Sequence, residues 1–160
     1  MTLTPTPRPA PRLAIAAALA LLAPPLLAER PDVTVRIGDV RSAPGDHATV
    51  VVEMHLGERW HVNSHTPSEE FLVPTDVTLA TPTGEKLSVA YPKGELRRFS
   101  FSETPLSVYA GKVVFEAGVA LPPGGRRRLP LTGEVSYQAC TDEKCFPPAR
   151  VPLSVTVEVR

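Results

Sequence analysis

The chain has 160 residues, with 17 basic and 17 acidic side chains and a formal net charge of zero. That balance gives no reason to expect nucleic acid or an anionic membrane surface as a partner. Apolar residues make up 42% and aromatic residues 6%, enough for one core in a single domain.

Residues 1–28 differ in kind from the rest. Arg8 and Arg12 are their only charges, Leu13 to Leu22 is unbroken apolar sequence, and Leu26-Leu27-Ala28 ends on a small residue. A basic start, a short apolar centre and a small residue at the end predict a cleaved secretory signal peptide. A membrane anchor needs about 20 apolar residues, and this run meets Pro24-Pro25 first. No cysteine follows it, so a lipid anchor is not expected. Residues 29–160 are then one domain in an oxidising, extracytoplasmic space, where a disulfide persists.

From Val33 onward the chain shows period-two patterns, turn residues and no helical repeat. Val33 to Ile37 alternates. Ala43-Pro44-Gly45-Asp46 reads as a turn, and Ala48 to Leu56 as a strand with a buried centre. Trp60 to His65 reads as a short extended segment. Thr66 to Glu70 fits a helical turn, but the Phe71 to Pro74 that follows favours extended chain. Asp76 to Ala80 and Leu87 to Tyr91 read as short strands. Glu95 to Pro105 is polar, with Phe99 and Phe101 on one side if extended. Val108-Tyr109 lead to Gly111. Lys112 to Leu121 reads as a strand interrupted at Gly118, and Pro122 to Gly125 as a turn before the basic edge Arg126 to Arg128. Leu129 to Gln138 and Val151 to Val159 read as strands. Short strands with a turn every eight to twelve residues predict an all-β sandwich. The 19 prolines suit edges and turns.

Between the last two strands lie the only cysteines, Cys140 and Cys145. Three readings are open. A structural staple is the ordinary use of a secreted disulfide, although a loop this short gains only about 2 kcal/mol from closure. A redox-active pair fits a cross-link placed at a hairpin tip beside Pro147-Pro148. Asp142 and Glu143 disfavour the thiolate there, Lys144 favours it, and no helix N-terminus is at hand. The third reading is a metal site drawing on His47, His55, His61 or His65, but the spacing matches none of the usual paired-cysteine zinc patterns. His61 and His65 would share a face only on a helix, and are expected at the surface or locally hydrogen-bonded. No serine sits in a nucleophile-elbow context.

The segment Tyr137-Gln138-Ala139-Cys140 … Cys145-Phe146-Pro147-Pro148 resembles the signature of the N-terminal periplasmic domain of DsbD, the thiol:disulfide interchange protein. Trp60-His61-Val62-Asn63, Tyr91-Pro92-Lys93-Gly94, Phe99 to Phe101, Pro105 to Tyr109 and Val151 to Val157 resemble other parts of that domain, in order. The resemblance implies an immunoglobulin-like β-sandwich with an inserted β-subdomain carrying the cysteine pair. It implies a thiol–disulfide exchange domain, a protein-disulfide reductase without cofactor or metal. Electrons would come from a thioredoxin-like protein or a membrane transporter. They would go to a periplasmic disulfide isomerase or a thiol protein of cytochrome c maturation. By motif position, Cys145 is the partner-facing sulfur and Cys140 the buried resolving thiol, with Phe99, Phe101, Tyr137 and Phe146 shielding the pair. The acidic pair that precedes the cap aromatic in the family is replaced by Arg97-Arg98, so shielding is the only role assigned to the cap. Family proteins continue into a membrane domain and a thioredoxin-like domain; for a chain ending at Arg160 the expectation is a stand-alone, monomeric relay. The alternative is a secreted interaction module whose disulfide is structural.

Overall fold

The computed structural model describes residues 29–43, 47–121 and 127–159. The signal segment and the turns expected at 44–46 and 122–125 lie outside the described residues. Within them the chain forms strands β1 (Val33–Ala43), β2 (His47–Leu56), β3 (His61–Asn63), β4 (Asp76–Ala80), β5 (Ser88–Ala90), β6 (Glu95–Arg97), β7 (Leu106–Ala110), β8 (Lys112–Ala120), β9 (Arg127–Tyr137), β10 (Ala139–Cys140) and β11 (Ala149–Val159). No helix occurs among the described residues.

The strands form three antiparallel sheets, ordered β1-β2-β8-β5, β11-β9-β4 and β10-β3-β7-β6. The first two sheets face each other across the main core. Their strands show why: Asp76–Ala80 alternates buried with half-buried residues, so Val77 and Leu79 point inward. Val50, Val52, Met54 and Phe115 from the first sheet meet Leu79, Leu131, Val135 and Val157 from the second, all fully buried. Burying such side chains contributes roughly 2 kcal/mol each before the entropy of ordering the chain is charged against it.

The third sheet is small and is made by excursions from the other two. β3 follows β2, β6 and β7 lie between β5 and β8, and β10 lies between β9 and β11. Two of its strands are continuous with the scaffold except for a single residue. Gly111 joins β7 to β8 with a φ of 63°, a conformation that side-chain-bearing residues rarely adopt. Gln138 joins β9 to β10. The architecture is thus an all-β sandwich with an inserted subdomain.

Three local expectations are corrected. Gly118 does not interrupt β8: it pairs with Thr49 on one side and Ser88 on the other, and the ladder runs through it. Glu95 to Pro105 is not one extended stretch. Glu95–Arg97 forms an edge strand against β7, and the chain then turns, with the Ser102 amide donating to the Phe99 carbonyl at 3.1 Å. Finally, His61 is not on the surface. It is 3% exposed, because its strand lies between β7 and β10 and is covered on both faces.

Candidate functional site

Gln138 carries the chain out of β9 into the two-residue strand β10, and Cys145 returns antiparallel to it. The amide of Thr141 donates to the Lys144 carbonyl and the amide of Phe146 donates to the Ala139 carbonyl, each at 2.8 Å. Those two bonds flank Cys140 and Cys145, which therefore face each other at a non-hydrogen-bonded position, where cross-strand side chains come closest. Their Cα atoms are 4.0 Å apart and the sulfurs are joined in a disulfide. The tip between them is a Thr-Asp-Glu-Lys turn. The Thr141 hydroxyl accepts from the amides of Glu143 and Lys144, both at 3.3 Å. This is the local hydrogen bonding that makes threonine a turn former. The Gln138 side-chain amide donates to the Phe146 carbonyl at 3.0 Å and closes the base of the hairpin.

The two sulfurs have unequal surroundings. Cys140 is 2% exposed, whereas Cys145 is an exposed residue. Along the ladder Cys140 pairs with His61, and His61 pairs with Ala110. Directly opposed residues project from the same face of a sheet, so His61, Cys140 and Cys145 form one row on one face. The opposite face of these strands carries Ala139, Val62 and Tyr109, which belong to the main core.

Over the row lies a second, smaller apolar cluster of Phe99, Leu106 and Val108, with Leu72 packed against it. The Phe99 ring stacks on the His61 imidazole with centroids 4.5 Å apart, and Phe101 stacks on Phe99 at 5.2 Å. Phe99 is 8% exposed and Phe101 54%. Tyr137 and Phe146 are placed elsewhere. Tyr137 lies in the main core, and Phe146 packs against that core, edge-on to Trp60 at 5.1 Å. The four aromatic candidates thus divide into an outer pair over the sulfur-bearing face and an inner pair on the scaffold side.

Electrostatics around the tip are mixed. Lys144 is committed to Glu29 at 2.7 Å and lies over the Phe146 ring. Arg59 also pairs with Glu29 and lies over Trp60. Beside the pair, Arg59, Thr141, Asp142 and Glu143 line a cleft of about 260 Å³. Burial pushes the His61 imidazole below its ordinary value; Asp142 opposes that shift and Arg97 adds to it. His61 is the site residue that sequence reasoning missed. Its local pattern reads as polar, and its burial arises from a ladder partner far along the chain. His65, four residues on, stacks on Tyr91 at 3.6 Å and contacts the Thr75 carbonyl through Nδ1 at 3.2 Å, so it does not converge on the sulfurs. Among the described residues no three His, Cys, Asp or Glu side chains come together to hold a metal ion.

A family model described as the N-terminal domain of thiol:disulfide interchange protein DsbD matches residues 30–155. Among solved structures, the reduced N-terminal domain of DsbD from Neisseria meningitidis is similar at 16% identity over 78% of this chain and 90% of that one, with a TM-score of 0.47. The N-terminal periplasmic domain of ScsB from Proteus mirabilis is similar at 14% identity over 77% of this chain, with a TM-score of 0.55, and shares its fold. This chain spans 45% of that ScsB chain. Comparison with curated protein sequences gave no match.

Proposed function

We propose, because the chain belongs to the family of DsbD N-terminal domains, that it relays electrons from a thioredoxin-like or membrane donor to oxidised periplasmic partners through Cys140 and Cys145. In the reduced state the Cys145 thiolate attacks a partner disulfide and a mixed disulfide forms. Cys140 then attacks Cys145, releases the partner as a dithiol, and the domain leaves oxidised. The donor restores the dithiol. The acceptors are a periplasmic disulfide isomerase or a thiol protein of cytochrome c maturation, and the domain works as a monomer in the periplasm after loss of residues 1–28.

The observation that carries this reading is the unequal burial of one cross-strand pair. One residue sits in the sheet at 2% exposure while its bonded neighbour is open to solvent. Exchange needs such a pair, with one sulfur for the partner to reach and one held back to resolve the intermediate. A Cys140→Ser variant tests it. Incubated with a periplasmic extract, it is expected to accumulate covalent complexes that a thiol reductant releases, and Cys140→Ser/Cys145→Ser none. If Cys140→Ser folds and captures nothing, the structural-disulfide reading takes over. The reduction potential gives an independent measure. Exchange proteins span roughly −270 to −120 mV, and structural disulfides lie below about −300 mV.

A further inference from the structure

We propose that His61 is the base that takes the proton from Cys140 when the mixed disulfide is resolved; the inference rests on the exchange reading above.

The need for a base follows from the burial of Cys140. A thiol at 2% exposure, with no helix N-terminus among the described residues to favour an anion and the adjacent Lys144 committed to Glu29, has neither of the usual supports for a thiolate. Left alone it is a slow nucleophile at neutral pH. His61 is the neighbour placed to change that. It pairs with Cys140 across the ladder, so both side chains leave the sheet on one face, with Cβ atoms about 5 Å apart. The imidazole is 3% exposed and, among the described residues, forms no side-chain hydrogen bond. Buried polar groups are normally satisfied, and on this proposal the imidazole gains a partner when Cys140 becomes a thiol and turns to it from the Gln138 carbonyl, 4.0 Å from Sγ. Phe99 stacks on the ring and keeps water from it.

The groups facing His61 come from each neighbouring element. The tip contributes Asp142 and β6 contributes Arg97, charges of opposite sign. β10 contributes Cys140 itself, and β7 contributes Ala110, which is neutral. Burial is the larger influence and holds the ring neutral at pH 7, which is the form able to accept a proton.

The step balances within the complex. Cys145 is bonded to the partner's sulfur and Cys140 carries a proton. The imidazole takes that proton, and the Cys140 thiolate attacks Cys145 Sγ. The Cys140–Cys145 bond forms as the bond to the partner breaks. The partner's sulfur leaves with the electron pair as a thiolate, and the imidazolium returns the proton to it. No outside oxidant or reductant enters.

The test uses the reduced full chain and the aromatic disulfide 5,5′-dithiobis(2-nitrobenzoate), with release of the coloured thiol followed by stopped flow. The first release reports attack by the exposed Cys145 and the second reports resolution by Cys140; Cys140→Ser, which shows only the first, assigns them. In the wild type the second rate is expected to rise only up to the imidazole range and then stay flat to about pH 8. His61→Phe keeps the stack on Phe99 and His61→Gln keeps a polar side chain, but neither can take the proton. Both are expected to slow the second phase by about 100-fold at pH 7, and that rate should then climb about tenfold per pH unit towards the thiol range. The first phase should change by less than about twofold. A wild-type second phase that itself climbs about tenfold per unit from pH 6 to 8 overturns the assignment without any variant, as do variants with wild-type second phases. A wild type that never gives the second release overturns the exchange reading itself.

Discussion

Reduction of the disulfide is the perturbation whose size the structure fixes best. Cys140 and Cys145 are five positions apart, so opening the bond frees a loop of about six residues, worth about 2 kcal/mol of chain entropy. The tip keeps its own supports in the dithiol: the two flanking backbone bonds at 2.8 Å, the Thr141 cap and the Gln138 bond to Phe146. A domain of this size with a net stability of about 5–15 kcal/mol tolerates that loss. Thermal unfolding with and without excess reductant should therefore give two cooperative transitions separated by about 8 °C, at roughly 4 °C per kcal/mol. By linkage, the pair in the folded chain should be about 45 mV harder to reduce than the same six residues as a free peptide. A reduced chain that loses its cooperative transition, or melts more than about 20 °C lower, would show that the bond holds the fold together. The relay would then have no folded reduced state to act from.

Truncating the cap is a local version of the same question. Phe99→Ala removes a nearly buried ring and its stack on His61, a loss of about 3 kcal/mol. Reduction by dithiothreitol should speed up at least about tenfold, since every 1.4 kcal/mol of lost closure gives that factor. Phe101→Ala, at a ring 54% exposed, should change stability by less than about 0.5 kcal/mol; equal reduction rates for both variants would deny Phe99 a shielding role. In the scaffold, a Cβ at Gly133 would lie 2.7 Å from the Thr78 carbonyl carbon and 2.9 Å from Leu79 Cα. Gly133→Ala should push β4 off β9 and cost more than about 3 kcal/mol in urea unfolding, against little change for Gly118→Ala, where nothing lies within reach. Acid sensitivity should have two parts. Lys112, then Arg36, draws the Glu53 carboxyl from 4.5 down to about 2. A lowered folded value means stability present above pH 4.5 and lost as pH falls from there towards 2, and Glu53→Gln or added salt should flatten that limb. The His61 ring is also lowered, but it is a base, so the unfolded chain takes up the proton first. Stability should begin to fall as pH drops through 6.5, and a urea midpoint in His61→Phe that keeps the same dip would assign the dip elsewhere.

Much of the scaffold was legible because its strands carry their own signal. Asp76–Ala80 and Ala48 to Leu56 alternate or run apolar in the way that half-buried and fully buried strands must, and the cysteine tip announced itself by composition. What escaped was set by partners distant in sequence. Glu95–Arg97 is exposed throughout, Leu96 included, so only its pairing with β7 makes it a strand. Gly118 looks like a break, yet an open position above a paired backbone suits glycine without stopping the ladder. His61 lies in a short polar-looking stretch, and its burial is decided by Cys140 on one side, Ala110 on the other and Phe99 above.

The joints at Gly111 and Gln138 carry a consequence for anyone wishing to transplant this chemistry. The sulfur-bearing β10 runs on from β9 and lies against β3, whose other neighbour β7 runs on into β8, so the geometry of the tip is inherited from beams anchored in the sandwich. A cyclic peptide copying Cys140 to Cys145 would reproduce the turn and the bond. It would have neither the imidazole row nor the aromatic lid, and its two sulfurs would be interchangeable.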